Sequence, residues 1–193
     1  MRKLSPENRT AVVLIGHGAP ATDCPPRLVG ELMGLQWRGN HHGSGISPEI
    51  SRIQELDAQI RDWPRRSDND PYKAGLEKLA AALRPLLPDR LLAVGYNEFC
   101  RPSIQEAIEQ VIRQGASRIL VIPSMLTPGG VHSEVDIPRS LQKVREAHPG
   151  IQVEYLWPFD LKEVAALLSG QVRKVLEGIP HPTNSCGGGP ESR

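Results

Sequence analysis

Four short apolar runs, each separated from the next by segments of helical pattern, constrain this chain more than any other feature. The runs are residues 11–15, 90–96, 118–123 and 151–156. The clearest helical segment, 72–87, carries Leu76, Leu79, Ala80, Leu83 and Leu86 on or near one stripe. Strands that alternate with helices at this spacing require βαβ crossovers, and therefore a parallel sheet with helices against it. The expected class is α/β, with about four strands in one domain over residues 1–178. A chain of 193 residues can bury a core of that size. Aromatic residues make up only 4%, so that core must be built from Leu, Val, Ile and Ala.

The remaining segments follow from local signals. Leu28, Leu32 and Leu35 fit one helical face over 26–37. Residues 38–47, with His41 and His42 among glycines, read as an exposed loop. Ser47-Pro48 reads as an N-cap with proline at the first helical position, opening a helix that turns Ile53, Leu56 and Ile60 inward. Residues 65–71 form a charged connector, and Pro85 ends the last turn of the 72–87 helix. Pro102-Ser103 opens a helix to Gln114 that Gly115 caps, and further helices span 134–147 and 161–176. Residues 179–193 turn to Pro, Gly, Ser and Asn, a composition expected to stay disordered.

Charge and cysteine usage narrow the setting. A net charge of +1 gives no global attraction to nucleic acid or membrane. No apolar run approaches the roughly 20 residues that span a bilayer, and no signal-peptide core follows residues 1–10. Cys24, Cys100 and Cys186 are widely spaced and odd in number, which argues for a reducing, cytoplasmic protein rather than a disulfide framework.

Two strand ends carry the chemistry. Gly16-His17-Gly18 follows the first run directly, and Pro128-Gly129-Gly130-Val131-His132 follows the third. If the two strands are parallel neighbours, His17 and His132 emerge at one edge, where ligands of open α/β sheets bind. Neutral imidazole suits divalent ions such as Co²⁺, Fe²⁺ and Ni²⁺, and it accepts a proton near neutrality. The simpler roles are that His17 hydrogen-bonds the strand end and His132 caps the next helix. Glu98, after the second run, reads as a partner orienting a histidine, an acid/base group, or a solvated charge. For Glu134, helix-dipole stabilisation and a catalytic role weigh equally; for Asp136, stabilisation of the helix N-terminus is the better reading.

Three stretches together resemble one family. They are Leu14 to Gly18, the segment Tyr96-Asn97-Glu98-Phe99-Cys100-Arg101-Pro102-Ser103-Ile104, and Gly129-Gly130-Val131-His132 with Asp136-Ile137-Pro138 beyond it. In this order they resemble the class II chelatases, and more narrowly the CbiX/SirB sirohydrochlorin chelatases. The resemblance implies a chelatase-like three-layer sandwich and insertion of Co²⁺ or Fe²⁺, as substrate metal, into a tetrapyrrole. It implies that His17 and His132 bind the metal and take up pyrrole protons with Glu98 assisting. It implies no tightly bound cofactor, and a single-unit chain that pairs as a homodimer unless the insertion covers that surface and leaves a monomer. No nucleic-acid or membrane partner is expected from the charge and the lack of a span. Residues 23–71 stand out against the short members as a helical insertion, and Asn97 departs from the family's usual Phe-Leu-Glu.

An acidic macrocycle calls for basic side chains, and Arg101 and Arg139 are the candidates, since guanidinium forks match carboxylates. Gly129 and Gly130 either let backbone approach the macrocycle or simply make the turn. The rivals are a tetrapyrrole or metal carrier without turnover and a histidine phosphatase. The second is weak, because Gly16 stands where such an enzyme carries arginine.

Overall fold

The computed structural model describes residues 9–42 and 47–180. Its strands are β1 (Thr10–Gly16), β2 (Leu91–Tyr96), β3 (Arg118–Pro123) and β4 (Gln152–Tyr155). Its α-helices are α1 (Pro26–His42), α2 (Ser47–Arg61), α3 (Pro71–Leu83), α4 (Ile104–Arg113), α5 (Ile137–Ala147) and α6 (Leu161–Leu176). A 3₁₀ turn at Arg84–Leu86 holds Pro85, and a π-helical turn at His132–Asp136 leads into α5.

The four strands form one parallel sheet in the order β2-β1-β3-β4. Val13 pairs with Ala93 on one side and Val121 on the other, so β1 is central and its residues 11–16 are all buried. One face packs Val13, Ile15 and Val121 against Ile104, Ile108 and Val111 of α4 and Leu141 and Val144 of α5. The other packs Val12, Leu14 and Leu92 against Leu76 and Ala80 of α3. A parallel strand buried on both faces needs apolar residues in succession rather than in alternation, which is what residues 11–15 supply.

The chain divides into two compact units, Met1–Trp157 and Pro158–Arg193. The sheet lies in the first. The second contains α6, which begins where the Asp160 side chain accepts a hydrogen bond from the Lys162 N–H at 2.8 Å.

One expectation fails in α1. The helix continues through residues 38–42, expected as loop. A lone glycine, Gly39, costs a helix about 1 kcal/mol, which is too little to end it, and the next proline is Pro48. His41 and His42 therefore belong to the last turn of α1; their side chains lie outside the described residues. So do residues 181–193, with Cys186 and the expected disorder.

Residues 23–71 leave the sheet after β1 and return beside their starting point. Leu28, Leu32 and Leu35 of α1 meet Leu56 and Ile60 of α2 in a small core of their own, which also takes in Phe99. A polar clasp closes the base. The Thr22 N–H donates to the Asn69 carbonyl at 2.8 Å, and the Asn69 amide donates to Asp23 Oδ1 at 3.0 Å. The Trp63 indole and Arg66 guanidinium donate to the same carboxylate. The Asn69 amide, with those two donors, holds the Asp23 carboxyl below the usual range.

Candidate metal centre

The carboxyl edge of the sheet brings three loops together. β1 runs into His17, β2 into Asn97 and Glu98, and the turn after β3 delivers His132. The first two loops are zipped by backbone: the Asn97 N–H donates to the Gly16 carbonyl at 2.9 Å and the Glu98 N–H to the His17 carbonyl at 2.8 Å. Gly18 makes this approach possible. Its φ is +92°, and a Cβ there would stand 1.9 Å from the Glu98 carbonyl oxygen. Phe99 also sits in the left-handed region, at φ 58°, a conformation that costs a non-glycine residue about 1–2 kcal/mol.

The imidazoles meet through their Nε2 atoms, 3.0 Å apart, with the rings edge to face. Each ring's other nitrogen faces an atom that can only accept. His17 Nδ1 lies 2.6 Å from the Gly18 carbonyl oxygen, and His132 Nδ1 lies 2.7 Å from Asp136 Oδ2. Both Nδ1 atoms therefore carry the proton, and in the neutral rings both Nε2 atoms present lone pairs toward one point. Asn97 Nδ2 also lies 3.0 Å from His132 Nδ1. With that nitrogen's proton given to the carboxylate, the Asn97 amide presents its oxygen once its terminal group is flipped.

Two lone pairs at this separation repel unless a cation lies between them. A proton can serve, and so can a metal ion. With imidazole–metal distances of ~2.1 Å, two nitrogens 3.0 Å apart subtend about 90° at the ion, an angle open to octahedral coordination. Glu98 Oε2 stands 3.8 Å from His17 Nε2, and ligand atoms of His17, Glu98 and His132 all lie within 4.8 Å of one another. The His17, Glu98 and His132 side chains are 38%, 29% and 26% exposed, so the trio opens to solvent instead of closing around an ion. Three ligands with free positions can accept a metal and release it.

The π-helical turn accounts for Asp136. Its wider pitch leaves the Ile137 N–H donating to the His132 carbonyl and sets the His132 and Asp136 side chains against each other. Tyr155 donates its hydroxyl to the Ser133 carbonyl at 3.1 Å, and burial first of all pushes that phenol up to about 12. Asp136 stands at the start of α5 as expected but makes no side-chain cap; its carboxylate accepts from His132 Nδ1 and orients that ring. The four-residue spacing from His132 to Asp136 was the available signal.

Other site residues fall in different places. Gly129 has φ +89° and makes a turn that favours glycine, while Gly130 accepts the Glu134 N–H at 3.0 Å; both are exposed. The Glu134 carboxylate accepts from the Gly129 N–H and the Trp157 indole, each at 3.2 Å, and so fastens the turn. Arg101, expected at the substrate, is not among the residues that line the cleft beside His132. Its guanidinium is spent on Asp62 and Glu106.

A cleft of about 470 Å³ opens beside His132 and Glu98. His132, Asp136 and Arg139 line one side, and Leu32 of α1 with Ile53 and Arg61 of α2 line the other. The segment between β1 and α3 is therefore a wall of the cleft. Arg139 is exposed and makes no ion pair among the described residues.

The geometry defines a class: small parallel α/β proteins with an open, metal-ligating imidazole pair at the carboxyl edge of the sheet. The CbiX family model matches residues 66–175, more than half of the chain, and the protein belongs to the CbiX family. Glu98, His132 and Asp136 fall inside that match; His17 precedes it. The chain is 41% identical over 81 residues to a sirohydrochlorin cobaltochelatase of Methanocaldococcus jannaschii, covering 40% of this chain and 54% of the relative. It is 39% identical over 70 residues to a sirohydrochlorin ferrochelatase of Priestia megaterium, covering 36% and 26% respectively. It thus spans about half or less of these curated relatives. A solved structure of a CbiX protein assigned to cobalamin (vitamin B12) biosynthesis, from Marinobacter aquaeolei, shares the fold: TM-score 0.51 at 17% identity, over 88% of this chain and 98% of that one.

Proposed function

We propose that this protein inserts Co²⁺ or Fe²⁺ into sirohydrochlorin or a closely related tetrapyrrole, serving cobalamin or siroheme synthesis. The observation that carries this reading is the convergence of His17 Nε2 and His132 Nε2, 3.0 Å apart, beside the Glu98 carboxylate. Family membership and the two chelatase relatives support it.

The ion is a substrate, so its site must hold it briefly. His17, His132 and at closest range Glu98 supply three ligand atoms and leave positions for water or pyrrole nitrogen. Each turnover replaces two pyrrole N–H protons by one divalent ion, and two protons leave. Once the ion moves into the macrocycle, the freed Nε2 lone pairs and the Glu98 carboxylate accept them. Asp136 stabilises His132 while it is charged. Arg139 is the guanidinium free to pair with a substrate carboxylate. Free, buried Cys24 and Cys100 accord with a reducing cytoplasm, and a homodimer is the assembly that the resemblance implies.

The test is an anaerobic spectrophotometric assay of sirohydrochlorin with Co²⁺ or Fe²⁺. Loss of the free-base spectrum well above the uncatalysed rate, abolished in His17→Ala and His132→Ala, is expected. Binding of the macrocycle without faster insertion would make the protein a carrier.

A further inference from the structure

Two arginines of the segment between β1 and α3 reach out of it into the loops that carry the site. Arg61, the last residue of α2, donates through Nη2 to the Asn97 carbonyl and through Nη1 to the Cys100 carbonyl, both at 2.9 Å. Arg65 donates through Nη1 to the Ala19 carbonyl at 2.8 Å and through Nη2 to the Phe99 carbonyl. Their side chains are only 12% and 11% exposed. One of these carbonyls, Ala19, follows His17 by two residues, and the other three bracket Glu98.

Each fork is itself held in place. Asp57 accepts from Arg61 Nε at 2.7 Å, and Asp70, 2% exposed, accepts from Arg65 Nη1 at 2.7 Å. Arg65 Nε is buried and finds no acceptor among the described residues. Its fork is turned to serve the loops at the expense of its own third donor direction. One of the carbonyls it grips belongs to Phe99, whose left-handed backbone follows Glu98 directly. A strained non-glycine residue keeps such a conformation only where its surroundings over-determine it.

We propose that Arg61 and Arg65 are positioning residues for metal binding. Their guanidinium forks lock the loops of His17 and Glu98 at the spacing that lets Glu98 join the imidazole pair. A planar, permanently charged fork suits the task, because it fixes two carbonyls in one plane; lysine offers one centre. The inference rests on the proposed metal site. It assigns to the segment between β1 and α3 the support of that site.

The test is a Co²⁺ titration of the full chain, read by calorimetry and by visible absorption of the bound ion, with folding checked by circular dichroism. Arg61→Met and Arg65→Met are expected to bind Co²⁺ at least about ten-fold more weakly, as removal of a partner that orients a ligand does. Arg61→Lys should recover part of that loss. Arg52→Met is the control, since Arg52 is exposed and, among the described residues, pairs only with Glu31 and Glu55. Wild-type affinity and spectrum in a folded Arg61→Met protein would overturn the proposal. Should the methionine variants not fold, wild-type affinity in Arg61→Lys would overturn it equally. His17→Ala and His132→Ala separate the two claims. If they bind Co²⁺ like the wild type, the metal site is wrong; if they lose it while the arginine variants keep it, only the positioning role is wrong.

Discussion

At the scale of single residues, the site depends on which nitrogen carries which proton. The Gly18 carbonyl and the Asp136 carboxylate fix both Nδ1 atoms as donors and leave both Nε2 atoms for an ion. Replacing Asp136 by Asn removes the acceptor-only group that sets the tautomer of His132. Co²⁺ affinity should then fall about 10–100-fold, with little change in thermal stability, measured by calorimetric titration and melting. Gly18→Ala is expected to act the other way, on folding. The 1.9 Å approach to the Glu98 carbonyl and the φ of +92° leave no room for a methyl group, so a loss above about 2 kcal/mol is expected in urea unfolding. His17 and Glu98 were legible in the sequence because they stand one and two residues beyond a strand, and His132 because a glycine turn after β3 leads to it. The contact of Asp136 with His132 was not read, because a helix start already accounts for a carboxylate there. The ion pairs of Arg101 were not legible, because proximity in sequence to Glu98 says nothing of Asp62, 39 residues away.

At the scale of elements, caps and turns fix where each loop can go. α4 starts with a full capping box between Ser103 and Glu106, just beyond the Glu98 loop. Ser103→Ala should cost about 1 kcal/mol, seen as a lower urea midpoint at unchanged slope. Asp70 both caps α3, accepting from the Lys73 N–H at 2.9 Å, and neutralises buried Arg65. Asp70→Ala should therefore cost more, about 3–5 kcal/mol, by the same measurement. The clasp at Asp23 has a pH signature. Its folded carboxyl titrates below the unfolded one, so its contribution is present above the unfolded pKa of about 4 and fades as pH falls through the folded value. Asp23→Asn should flatten the acid limb of the stability curve. Helix periodicity gave α2, α3 and α4 nearly as they stand. The end of α1 and the π-helical turn escaped it, since a glycine pair of signals reads as loop and a one-residue widening of a turn leaves no periodic trace.

At the scale of the whole molecule, the parallel sheet does the assembling. Its order β2-β1-β3-β4 sets the loops after β2 and β3 on either side of the one after β1. Residues from positions 17, 98 and 132 thereby meet at one edge. Strand alternation with helices predicted that sheet, because unbroken apolar runs leave few other packings. The cleft wall built by α1 and α2 was not legible. Its members line the cleft with residues far away in sequence, as Arg61 does with Asn97 36 positions on, which no local pattern carries. The most direct measurement of the central claim is an anomalous difference map from a Co²⁺-soaked crystal. One peak is expected within coordination distance of His17 Nε2 and His132 Nε2, with Glu98 beside it. A well-occupied cobalt site elsewhere, with the imidazole pair left bare, would contradict it.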